Sequence, residues 1–183
     1  MTGRIYLGHG ASGGPETMAP WVEALRERGL AAVALRLPRR RAEDAVPALL
    51  EQVPDEPGIV VGGHSYGGRV ASLAAASSGR SFAGLVCLSY PLHRPGHPDG
   101  EVRSAHWPSI GCPALLLSGE SDPFARIDLL RSAVTRMAGV ELVTYPRLGH
   151  SLRPVREDAA DRIAAFVAGL GIGRAETSVR RDG

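Results

Sequence analysis

Lysine is absent from this chain: all 21 cationic side chains among its 183 residues are arginine. No Schiff-base lysine, phosphate-loop lysine or lysine general base is therefore available. Cysteine is nearly absent. Cys87 and Cys112 lie in or beside the apolar runs 85–88 and 112–115, too few and too far apart for a disulfide framework or a zinc set. Buried free thiols are the expectation for both. No apolar stretch approaches the 18 residues that a membrane helix needs, so no membrane span is expected. The chain enters a strand-like run directly after Met1-Thr2-Gly3, without a basic segment followed by an apolar one; a cytoplasmic chain is the expectation. An excess of one charge is missing too. The net charge is only +2, which argues against a nucleic-acid partner. The densest cluster, Arg39-Arg40-Arg41 near Arg36, reads as solvated surface.

What remains is ordinary globular composition, 44% hydrophobic and 22% charged, in a length that suits one domain. There is no internal repeat. A short apolar run, a turn and an amphipathic segment recur. Strands are expected at 4–7, 31–37, 59–61, 85–88, 114–117 and 141–145. Helices are expected over 16–28, 42–53, 66–78, 128–137 and 156–170, with Gly29 ending the first and Pro47 disturbing the start of the second. Residues 91–111, with four prolines, form a loop-rich connection. The domain is expected to span 1–170 and a polar, aperiodic tail, 171–183, to be disordered. Unbroken apolar strands alternating with helices predict an α/β architecture, a mostly parallel sheet of about six strands with helices on both faces. Such sheets carry their chemistry at the carboxyl ends of the strands.

Gly63-His64-Ser65-Tyr66-Gly67 reads G-x-S-x-G between a strand and a helix. That context places a serine on a tight turn with its hydroxyl above the sheet. Serine is a weak nucleophile until a base accepts its proton and a third group orients the base. In sheets carrying such a turn, the acid and then the histidine follow the serine along the chain. Asp122, in Gly119-Glu120-Ser121-Asp122-Pro123, and His150, in Leu148-Gly149-His150-Ser151, follow the fifth and sixth strands. Ser65, Asp122 and His150 are thus the candidate catalytic residues. Asp122 before proline also suits a turn or helix cap, and Glu120 is the alternative acid. The oxyanion donors expected are the backbone N–H groups of Tyr66 and of Ala11, in the loop after the first strand. That loop does not read G-x-G-x-x-G, and Arg36 stands where a dinucleotide site would place an acid.

The motifs His9-Gly10-Ala11, Gly62-Gly63-His64-Ser65-Tyr66-Gly67-Gly68-Arg69, Ser89-Tyr90-Pro91-Leu92-His93, Gly119-Glu120-Ser121-Asp122-Pro123-Phe124 and Gly149-His150-Ser151 together resemble the α/β-hydrolase superfamily. More narrowly, they resemble its small KANL3/Tex30-type, dienelactone-hydrolase-like branch. The resemblance runs from about Ile5 to about Leu170. It implies a sheet that begins at the usual third strand and no cap domain; the ordered serine, aspartate and histidine at three strand ends, with two oxyanion loops, point to hydrolysis of a small acyl substrate, an ester or thioester, without metal or organic cofactor. Two positions depart from the pattern: Gly149 stands where many relatives have aspartate, and Ser65 where dienelactone hydrolases have cysteine. The branch also includes scaffold-like members, so a non-catalytic binding protein, a peptidase and an acyltransferase are the alternatives. His9, Arg103, His106 and Trp107 are candidate substrate contacts. Monomer and homodimer are both compatible with this composition.

Overall fold

The computed structural model describes residues 3–98 and 103–172. Its six strands are β1 (Arg4–Gly8), β2 (Ala31–Leu35), β3 (Ile59–His64), β4 (Gly84–Leu88), β5 (Ala114–Gly119) and β6 (Val140–Tyr145). They form one wholly parallel sheet in the order β2-β1-β3-β4-β5-β6. Five α-helices connect or flank them: α1 (Ala19–Glu27), α2 (Ala42–Gln52), α3 (Tyr66–Ser77), α4 (Ile127–Val134) and α5 (Arg156–Gly169).

The pleat sends alternate residues to opposite faces, and both faces are apolar. Ile5, Leu7, Val60, Val86, Leu88, Leu115 and Leu117 face α1 and α5, packing with Trp21, Leu25, Ile163 and Val167. Tyr6, Val61, Leu85, Cys87 and Leu116 face the other layer, with Leu49, Val70, Ala71 and Leu130 from α2, α3 and α4. Both cysteines are buried and unpaired. A strand covered on both faces needs no polar alternation, which is why the runs in the sequence are unbroken.

Local chemistry explains the boundaries. Before α1, residues 15–18 form a 3-10 turn rather than the start of the α-helix. The helix ends in a Schellman-type closure: Gly29 N–H donates to Arg26 and Leu30 N–H to Leu25, with Gly29 at φ +79°. β2 stops two residues short of the expected Leu37. The Gln52 side chain takes both backbone groups of Arg36, and the Leu37 N–H donates to His9 Nε2. α2 starts at Ala42 and continues through Pro47. The proline removes one helical N–H, but buried Ala45 and Leu49 hold the helix on the sheet. Ile172 still packs on the α1/α5 side of the core, two residues past the expected boundary. The rest of the expected tail, 173–183, lies outside the described residues.

The strand order reverses between β1 and β3. β1 continues in sequence to β2 on one side, while β3 starts the run to β6 on the other. A crevice opens at the carboxyl ends of strands at such a point.

Candidate active site

Ser65 sits between β3 and α3 at φ +52°, ψ −112°, a region that costs a non-glycine residue about 1–3 kcal/mol. The surroundings hold it there. Its N–H donates to Leu88 O of β4 at 2.8 Å, and its carbonyl accepts from Arg69 N–H at 3.0 Å. The flanking glycines are required by close approach. A Cβ on Gly63 would lie 2.8 Å from both Gly8 N and Gly67 C, and one on Gly67 would collide with the Gly8 carbonyl. β1, β3 and α3 thus meet backbone to backbone, and the turn tightens until the serine side chain stands above the sheet edge.

Two loops bring partners to it. Ser65 Oγ lies 2.8 Å from His150 Nε2. His150 Nδ1 lies 2.8 and 3.0 Å from the two Asp122 oxygens. A carboxylate only accepts, so Nδ1 carries the proton and Nε2 is left to accept from the serine hydroxyl. Asp122 is 4% exposed, and its Oδ1 also accepts the Phe124 N–H at 2.8 Å. The turn role and the histidine contact therefore coexist in one carboxylate. Glu120 instead binds Arg131 and Thr144, away from His150.

Two residues not singled out in the sequence fix the imidazole. The Phe124 ring lies 4.3 Å from it, centre to centre. His64 lies 5.2 Å from it, and His64 Nε2 donates to the His150 carbonyl at 3.2 Å. Burial, only partly offset by that bond, lowers the His64 pKa and keeps the ring neutral. Adjacency to Ser65 was the available signal for His64; Phe124 had none beyond its place two residues after Asp122.

A cavity of about 660 Å³ contains Ser65 and is lined by Ala11, Tyr66, Arg103 and Phe124 among others. Tyr66 is the first residue of α3, so its N–H has no helical acceptor one turn earlier. The Tyr66 hydroxyl donates to Pro38 O at 2.8 Å, tying α3 to the β2–α2 loop.

The other three expected substrate contacts stand elsewhere. His9 is 3% exposed; Nε2 accepts from Leu37 N–H and Nδ1 donates to Gly10 O. It braces two loops and does not line the Ser65 cavity. Trp107 is 1% exposed, packed edge-on against Tyr90 at 5.0 Å. Its expected substrate contact is corrected: the indole belongs to the core. His106 Nε2 lies 2.8 Å from Ser72 Oγ, whose proton goes to Arg69 O. This histidine anchors the connection to α3 and is likewise outside the cavity lining. His93 has a matching structural part, accepting from Arg126 N–H and donating to Arg94 O.

Among the described residues, no group of three or more His, Cys, Asp or Glu side chains is arranged to hold a metal ion. No helix among them is long and apolar enough to cross a membrane.

Comparison with known proteins places this geometry. Residues 27–167 match the family model described as an alpha/beta hydrolase domain. A Paleococcus ferrophilus monoacylglycerol lipase superposes with a TM-score of 0.76 at 14% identity, over 92% of this chain and 95% of that one. A Pyrococcus furiosus esterase superposes at 0.74 with 17% identity, over 94% and 82%. Est1E from Butyrivibrio proteoclasticus, solved with ferulic acid, gives 0.75 at 17% identity, over 93% and 89%. At such identities the solved structures show the fold. The family match spans most of the sequence, and the chain belongs to the alpha/beta hydrolase family.

Proposed function

We propose that this hydrolase cleaves an ester or thioester of a small acyl substrate through a covalent acyl-enzyme, with Ser65 as nucleophile, His150 as base and Asp122 as the group that orients it. The observation that carries this reading is the unbroken hydrogen-bond chain from Asp122 through His150 to Ser65, assembled from the ends of three strands. The neighbours named as an esterase and a lipase support hydrolysis in general, and the motifs of the chain suit the small KANL3/Tex30-type branch. Both thiols are free, which suits a cytoplasmic protein.

In the first half-reaction the Ser65 oxygen forms a bond to the carbonyl carbon while its proton passes to His150 Nε2. The carbonyl oxygen gains negative charge between the N–H groups of Tyr66 and Ala11. Donors placed for the oxyanion rather than the flat carbonyl stabilise this state selectively. The C–O or C–S bond then breaks, and His150 returns the proton to the leaving alkoxide or thiolate. In the second half, water gives a proton to His150 and attacks the acyl-serine; the bond from the acyl carbon to the Ser65 oxygen breaks, His150 returns the proton to that oxygen, and the carboxylic acid leaves. Asp122 stays ionised throughout and holds the imidazole tautomer. No step calls on a metal or an organic cofactor.

Intact-mass labelling with a fluorophosphonate tests the assignment before any substrate is known. One adduct is expected on the wild type and none on Ser65→Ala or His150→Ala. A folded wild type that takes up no label would overturn it and leave a binding protein on a hydrolase fold as the better account.

A further inference from the structure

Resting on the acyl-transfer reading, we infer that the substrate carries a carboxylate or phosphate on the part that is not attacked, and that arginines lining the Ser65 cavity bind it. Arg40, Arg41, Arg69, Arg94 and Arg103 all line this cavity, and among the described lining residues the one acidic side chain is Glu43. They come from three separate stretches of chain: the β2–α2 loop, the first turn of α3, and the connection after β4. No single charged loop accounts for them.

The composition of the protein does not account for them either. Its 21 arginines are nearly matched by 19 acids. The neighbouring cavity beside His9, about 900 Å³, shows that balance: Arg36, Arg39 and Arg40 face Glu16, Asp44 and Glu51. The cavity that holds the serine lacks that balance, with five arginines to one acid among its described lining residues. A concave wall of one sign concentrates ligands of the opposite sign, because the low-dielectric walls focus the field.

The arginines differ in character. Arg41 is 81% exposed and reaches Glu43 only at 3.8 Å; it belongs to the rim and attracts from a distance. Arg69 is 17% exposed and lies in the wall, paired through Nη2 with Glu43. Its Nε is buried and meets no acceptor among the described residues. Glu43 is thus one carboxylate shared between two guanidinium groups. Arg69 follows Ser65 by one helical turn, and its N–H binds the Ser65 carbonyl. Arg69 and Ser65 line the same cavity, so an anionic group bound at Arg69 shares the space in front of the reacting serine. Guanidinium pairs with carboxylate and phosphate in the same two-pronged manner, so the shared chemistry is a compact oxyanion on an acyl ester or thioester.

The test compares matched substrates differing only in that charge. One pair is 4-nitrophenyl hydrogen succinate and methyl 4-nitrophenyl succinate; the other is S-acetyl phosphopantetheine and S-acetyl pantetheine. The wild type is expected to favour the charged member of at least one pair by ~10-fold or more in kcat/KM, with the preference falling as salt rises. A preference in the first pair names a carboxylate, and in the second a phosphate. Arg69→Gln and the double variant Arg94→Gln/Arg103→Gln should each reduce the charged-to-neutral ratio, the second serving where the first fails to fold. Isothermal titration of Ser65→Ala with both pairs reads the same preference as Kd without turnover. Turnover of the neutral esters with no charge preference in either pair overturns the inference and leaves the hydrolase reading standing. Absence of both turnover and serine labelling sinks the hydrolase reading, and the titration then decides the anion site by itself.

Discussion

Replacing Asp122 by asparagine probes the hydrogen-bond chain at its most buried member. The two carboxylate oxygens are not equivalent: Oδ1 accepts the Phe124 N–H at 2.8 Å and lies 3.0 Å from His150 Nδ1, whereas Oδ2 meets no such backbone donor among the described residues and lies nearer to Nδ1, at 2.8 Å. An asparagine keeps its carbonyl oxygen toward Phe124, since an amide NH₂ there would oppose another N–H. The NH₂ group then points at His150 Nδ1 and turns that nitrogen into an acceptor. The imidazole proton moves to Nε2, facing Ser65 Oγ, and the ring no longer accepts the serine proton. Loss of the correct tautomer costs about 10⁴-fold in serine proteases with the same substitution, equivalent to about 5.5 kcal/mol of barrier. The rate of fluorophosphonate reaction with Ser65 measures this without a known substrate. A fall of ~10³-fold or more is expected at neutral pH. The thermal midpoint should move by less than about 4 °C, because the volume and the Phe124 bond are kept and about 1 kcal/mol shifts a chain of this size by ~2–4 °C. A variant that labels within tenfold of wild type would refute the tautomer argument.

Gly67→Ala is expected to lower stability by about 1–3 kcal/mol, the usual cost of overpacking, because the added carbon meets the Gly8 backbone. Gly111→Ala, where an added Cβ meets nothing within 4 Å, should be neutral or stabilising by up to ~1 kcal/mol; urea titration of both variants checks the contrast, and equal midpoints would contradict it. Burial first, and then the Arg69 charge, push the His106 pKa down from 6.5 to about 4. The folded protein thus resists a proton that the unfolded chain accepts. The stability involved is present above pH 6.5, is lost as pH falls from 6.5 toward 4, and declines no further below that. His64 is shifted in the same direction. Denaturation midpoints of wild type and His106→Gln across that window should show the smaller loss in the variant; parallel curves would refute the assignment.

Much of the architecture was legible along the chain because burial on both faces leaves a mark. The runs 59–61, 85–88 and 114–117 are unbroken, and each became a strand core lined by apolar residues on alternate sides. Boundaries were less legible, because side chains distant in sequence set them: Gln52 and His9, not Arg36 or Leu37, end β2. The arrangement of Ser65, Asp122 and His150 could be anticipated from order and position, since loops at strand ends converge on one edge of a parallel sheet. Whether a loop side chain points into that crevice could not. His9, Arg103, His106 and Trp107 are all polar or aromatic residues in loops. Arg103 lines the cavity, while Trp107 fills the core, His9 bonds to the loop after β2 and His106 bonds to helix α3.

Periodicity, turn residues and chain order by themselves determined the class of fold, the strand-to-helix turn at Ser65 and the spacing of its partners, because those are local or topological consequences of the sequence. The tertiary structure alone decided the sheet order with its reversal at β1 and β3, the placing of Phe124 and His64 against the imidazole, and the gathering of arginines from three segments around one serine. Those depend on how helices α2 and α3 pack across the sheet. No residue carries that information until its distant neighbours are in place.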